Sequence, residues 1–208
     1  MLDFSRLFAA LCLLCSCLQP QAFAQPHVLR VDFQNSVLYG MPVHWGRNEA
    51  ALLESNGLFH IFKTREVTNH SILDAPFRPQ SLVEARADLQ RELGRGFDIL
   101  ISGPYVIAAP VGEADRWKRR FNTLLAGYTR YFEVRGWPVR RADFPLIVIV
   151  FADRQQFLRY ANTQTGQLPN LAVGSYFPRT NRCILYQIAG SRGVNWSETE
   201  STIVHEAV

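Results

Sequence analysis

Apolar and polar positions follow three regimes along the chain. Between residues 28 and 75, short apolar runs are broken by turn residues. Val28–Phe33, Ser36–Tyr39 and Leu58–Phe62 predict strands, and Asn56-Gly57 is a tight-turn signal between the last two. This stretch, 25–75, reads as a small β module. Asp74-Ala75-Pro76 through Pro79 reads as a linker.

Beyond residue 80 helical and strand periods alternate. Ser81-Leu82-Val83-Glu84 is a capping box, in which the first side chain and the fourth satisfy each other's backbone N–H groups. Leu82, Ala85, Leu89 and Leu93 follow at helical spacing, and Gly94 and Gly96 end the helix. Phe97–Ser102 and Tyr105–Ala109 flank Gly103-Pro104 as a hairpin. A long amphipathic helix is predicted from Ala114 to Val134, with Trp117, Phe121, Leu124, Leu125, Tyr128 and Phe132 along one stripe. Lys118, Arg119, Arg120 and Arg130 lie mostly off that stripe, as a solvated face does, so they do not form a nucleic-acid footprint.

Phe144–Phe151 is continuously apolar, which suits a strand covered on both faces. Asp153 then caps a helix holding Phe157, Leu158 and Ala161, and Thr163–Asn170 reads as a polar loop. Val173–Phe177 and Cys183–Ile188 form a second hairpin about Pro178-Arg179-Thr180-Asn181. A second capping box, Ser197-Glu198-Thr199-Glu200, starts a last helix near Glu198. That helix runs to Val208 without a Gly or Pro stop, so the chain reads as cut short. The expected fold class is α+β: a small β module, then an α/β domain over 80–208.

The third regime is the N-terminus. Arg6 precedes the apolar run Leu7–Leu18, and Ala22-Phe23-Ala24 is a small-x-small cleavage pattern. Residues 1–24 therefore read as a secretory leader cut after Ala24, giving a secreted or periplasmic protein. The alternative is acylation at Cys17 within Leu14-Cys15-Ser16-Cys17, which would tether the protein. Of four cysteines, only Cys183 lies beyond the leader, so no internal disulfide is expected. Cys183 sits in a predicted strand and reads as a buried, inert thiol.

Composition adds little to this picture. The 208 residues are 48% hydrophobic and 19% charged, which excludes a disordered tail, a collagen-like fibre and a multi-pass membrane protein. No segment after the leader is long and apolar enough for a stable membrane span. The net charge of +4 is spread along the chain.

The chemistry concentrates in Thr202-Ile203-Val204-His205-Glu206-Ala207-Val208. An imidazole and a carboxylate amid apolar residues are costly to bury without a partner, and a metal ion is one such partner. In a helical H-E-x-x-H motif, two histidines four residues apart bind zinc, and the glutamate polarises the metal-bound water. The second histidine of that pattern falls at the position after Val208. The competing reading is a core histidine bonded to a neighbour, with Glu206 reaching solvent. No phosphate-binding loop or nucleophile elbow is present: Gly94-Arg95-Gly96 and Gly174-Ser175 lack the required residues. His27, His44, His60 and His70 have no metal-pair spacing.

In Ser81–Leu89, Tyr105–Pro110, Phe144–Phe151, Ser175–Arg182 and Thr202–Ala207, the chain resembles the exported, mostly bacterial proteins of the domain of unknown function 1570. These are grouped with the gluzincin, or peptidase MA-like, metallopeptidases. The resemblance implies a zincin-like domain with the His-Glu helix at its C-terminal end. It implies His205 as the first zinc ligand and Glu206 as general base, the remaining ligands following Val208. The substrate class would be polypeptide, held as an added strand along a sheet edge that the Val173–Ile188 hairpin could supply; the alternative is that this hairpin is internal to the sheet. Tyr176 and Arg179 would approach that cleft or serve at the surface. The alternative is a non-catalytic module of the same fold that binds a peptide or cell-wall component of the envelope.

Overall fold

The computed structural model describes residues 27–165 and 173–187. Over these the fold is α+β, with two five-stranded sheets and three α-helices.

The first sheet holds β1 (His27–Phe33), β2 (Ser36–Trp45), β3 (Glu49–Leu53), β4 (Phe59–Lys63) and β5 (Val67–Pro76), in the order β4-β3-β2-β1-β5. All its pairings are antiparallel. A flat sheet would hold β4 and β1 about 14 Å apart, three strand spacings. Yet Phe62 of β4 and Phe33 of β1 bring their ring centroids within 4.9 Å. The sheet is therefore rolled into a small open barrel, with β4 and β5 as its two edges, around Leu29, Val31, Ala50, Leu52 and Phe62.

The roll has a visible corner in β2. Its first half pairs with β1 up to Gly40, and its second half pairs with β3 from Met41 onward. At Gly40 the neighbouring backbone comes so close that a Cβ would lie 2.5 Å from the Leu53 carbonyl oxygen. A register shift between Pro42 and His44 then admits a proline that would break a regular ladder. At another corner a 3-10 turn, Thr64–Glu66, links β4 to β5.

The hydrophobic pattern does not mark β3 or β5, and its alternation ends β2 at Tyr39, before the observed Trp45. Glu-Ala-Ala-Leu-Leu in β3 is made of good helix formers and shows no alternation, because Ala50, Ala51 and Leu52 are all buried. β5 is an edge strand, exposed over most of its length, so its polar Thr-Asn-His-Ser run carries no apolar signal. Asp74–Pro76, read as linker, belong to β5.

The second sheet is mixed: β6 (Phe97–Ser102), β7 (Tyr105–Pro110), β8 (Leu146–Phe151), β9 (Gly174–Phe177) and β10 (Arg182–Tyr186), in the order β6-β7-β8-β10-β9. β8 runs parallel to both β7 and β10, and the outer pairs are antiparallel. Helices α1 (Leu82–Leu93) and α3 (Arg154–Thr165) cover one face, where Ala85, Leu89, Phe157 and Ala161 meet Val106, Ile147, Ile149 and Ile184. Helix α2 (Ala114–Glu133) lies on the other, where Trp117 and Phe121 meet Ile107, Val148, Val150 and Cys183. β8 thus sits mid-sheet with apolar residues on both faces, the reason for its unbroken apolar run.

The Ser81–Glu84 capping box forms in both directions at the start of α1. Asp153 Oδ1 accepts the Gln156 backbone N–H at 2.8 Å ahead of α3. That helix continues to Thr165, three residues into the stretch read as a loop.

The barrel touches the second sheet through backbone groups. Phe59 N–H donates to the Arg179 carbonyl at 2.7 Å, and Gln80 N–H donates to the Ser55 carbonyl at 2.6 Å. Gly57 packs against the Asn181 side chain so closely that a Cβ there would lie 2.9 Å from Nδ2.

Candidate functional site

His205 and Glu206 lie outside the described residues, as do the leader, Cys17 and Ile188. The hairpin that precedes them in sequence is described as far as Gln187. β9 is the outermost strand of its sheet, paired on one side with β10. Tyr186 N–H donates to the Val173 carbonyl at 3.2 Å, which sets the phase of the ladder. Val173, Ser175 and Phe177 then face β10, and the N–H and C=O groups of Gly174 and Tyr176 point to the outer side. Those are the groups an added peptide strand would use.

Tyr176 stands on this strand, 42% exposed, and its hydroxyl donates to Asn181 Oδ1 at 3.0 Å. Burial, with the nearby Cys183 thiol adding to it, raises the Tyr176 phenol above its ordinary range. Asn181 in turn donates from Nδ2 to the Pro145 carbonyl at 3.2 Å. Its backbone is left-handed, φ 52°, a conformation asparagine tolerates in turns. Arg179 is exposed in the same turn, and its carbonyl receives the barrel's Phe59 N–H. Tyr176 and Asn181 thus link the edge strand to the β8 entry, while Arg179 links the turn to the barrel. No motif marks Asn181 in the sequence; its place in a Pro-Arg-Thr-Asn turn is the available signal.

Compared with protein-family models, curated proteins and solved structures, the chain matches none.

A second polar cluster ties α1, α3 and β10. Tyr160 OH donates to Glu92 Oε1 at 2.8 Å, and Arg182 Nη1 donates to the same oxygen at 2.7 Å. Arg182 also donates to the Tyr160 oxygen. Burial raises Tyr160 strongly; Arg182 opposes the shift and Glu92 reinforces it. Burial pulls Arg182 down, but Glu92 and Tyr160 outweigh it and raise the guanidinium above its ordinary value. A tyrosine held protonated beside a paired arginine is a brace between elements.

Among the described residues, no three His, Cys, Asp or Glu side chains gather as a metal site. His60 Nε2 sits 2.7 Å from Glu54 Oε1, and His70 lies against the Trp45 ring at 5.0 Å between centroids. Cys183 is a buried thiol. No helix among the described residues is long and apolar enough to cross a membrane. A cleft of about 740 Å³ opens beside α2, floored by Leu124, Leu125 and Tyr128 and edged by Arg140 and Arg141.

Proposed function

We propose that His205 and Glu206 belong to the zinc site of an exported H-E-x-x-H peptidase, in a zincin-like domain over 80–208. Membership among the proteins of the domain of unknown function 1570, and export by the 1–24 leader, are parts of the same proposal. The observation that supports it is the position of β9: an edge strand, with the Gly174 and Tyr176 backbone groups turned outward, precedes the His205-Glu206 segment in sequence. An edge strand that receives a polypeptide by backbone pairing is what such a peptidase needs beside its metal helix.

An imidazole next to a carboxylate is a donor set that fits zinc chemistry. His205 would hold the metal, and Glu206 would take and pass the proton of the attacking water. The metal would supply a water of lowered pKa and polarise the scissile carbonyl. The second reading, a non-catalytic envelope module that binds a peptide or wall component, draws on the same edge strand, because backbone pairing needs no metal.

The test uses the whole protein that the gene encodes. Zinc content and cleavage of an unfolded polypeptide are measured for it and for Glu206→Gln. Both proteins should bind zinc, and the variant should lose cleavage by at least about 100-fold, as removal of a general base does. Equal cleavage would remove Glu206 from the chemistry. Absence of both zinc and cleavage in the whole protein would favour the binding module.

A further inference from the structure

The end of α2 presents aromatic and basic side chains together. Tyr131 is 52% exposed, Val134 69% and Trp137 62%. Their exposure is built in. Trp137 N–H donates to the Phe132 carbonyl at 3.0 Å and Gly136 N–H to the Glu133 carbonyl at 2.9 Å, with Gly136 at φ 76°. This is a Schellman cap, which satisfies the last carbonyls and folds the residue after the glycine back onto the helix. Trp137 accordingly stacks on Phe132, with centroids 6.1 Å apart, and keeps most of its surface in solvent.

The cations are held there too. The Arg135 guanidinium lies 3.6 Å from the Tyr131 ring centroid and donates to the Tyr131 carbonyl at 2.8 Å. Arg130 lies one turn before Val134. Arg140 and Arg141 follow in the exposed segment that borders Tyr128 and Thr129. Between residues 128 and 143 four arginines face two acids, Glu133 and Asp143.

We propose that this helix end is a docking surface for an anionic lipid bilayer. Tryptophan and tyrosine favour the headgroup level, where the ring is half desolvated and the polar edge stays wet. Arginine adds long-range attraction to acidic headgroups. A solvated helix end needs neither a rigid, exposed Trp-Tyr-Val tip nor four cations around it. A protein groove would receive the aromatics but not call for the surrounding charge, so a lipid surface fits both halves of the patch. The contact is peripheral and independent of any zinc chemistry.

The test is co-sedimentation of the chain from Gln25 onward, without the apolar leader, with vesicles of phosphatidylcholine, with and without phosphatidylglycerol, at low and high salt. The chain should partition onto the glycerol-containing vesicles at least about tenfold better than onto pure phosphatidylcholine, and high salt should erase most of the difference. Arg140→Glu with Arg141→Glu should lower partitioning by about tenfold or more. Val134→Ser with Trp137→Ser should do the same while the fold, followed by circular dichroism, persists. Val134→Ser alone guards against a fold defect caused by losing the Trp137–Phe132 stack, and should still weaken binding. Binding that ignores the acidic lipid, or that survives both sets of substitutions, overturns the proposal. Equal retention on a soluble polyanion, insensitive to Val134 and Trp137, also overturns it, since only charge would then be read.

Discussion

At Gly40 a single added methyl group meets the Leu53 carbonyl oxygen and carbon, not a flexible side chain. Backbone on one side and the Leu52 side chain on the other leave no cheap way to yield. Gly40→Ala should therefore destabilise the barrel by about 1–3 kcal/mol, the usual cost of overpacking. Urea denaturation checks this; an unchanged midpoint would mean that β2 turns its corner with room to spare. Single residues were unevenly legible. Cys183 was readable as a buried thiol because Ile184, Leu185 and Tyr186, which follow it, are strand-forming and mostly apolar. Asn181 was readable only as a turn residue, since its bonds to Tyr176 and Pro145 join positions that are close only in the folded chain.

At the scale of elements, the Glu92–Tyr160–Arg182 cluster fastens two helices to β10. The folded chain holds the Tyr160 phenol well above its ordinary value of about 10, so the protonated form is the one the fold favours. Its contribution to stability is complete below about pH 10 and is lost as pH rises further, because the unfolded chain ionises first. Tyr160→Phe should cost about 1 kcal/mol near neutral pH, the worth of a hydrogen bond. Above about pH 10 the gap between variant and parent should narrow. Urea unfolding of both proteins at neutral and alkaline pH checks the sign, and a gap that widens would refute it. Tyr105 and Tyr176, also raised, are common to both proteins and cancel.

Elements with a strong local period were the ones the sequence disclosed. α1 carries a capping box and a stop, α2 a long apolar stripe, and β8 an unbroken run. β3 and β5 escaped for opposite reasons. Rolling the sheet buries consecutive residues of β3, while an edge position leaves β5 polar. Neither condition is a property of the segment itself. The proposed His205-Glu206 site rests on a sequence motif, and the described residues supply only the strand that precedes it.

At the scale of the molecule, the barrel and the second sheet each have a core of their own. The bonds between them run from the β3–β4 turn and Gln80. Such a division predicts separate loss of protection. Hydrogen exchange in rising urea should release amides of 27–76 and of 97–151 at different concentrations. A single shared release would show that the joint couples the two cores into one cooperative unit.

The joint nonetheless lands on a telling spot. Gly57 of the barrel presses on Asn181, and Asn181 holds the tyrosine of the outermost strand. Pulling the N-terminal roll away would remove the backstop from that asparagine while leaving the ladder beneath it untouched. Residues 27–76 thus stand as a buttress behind the outer rim of the second sheet, and trimming them should loosen that rim before it alters the fold.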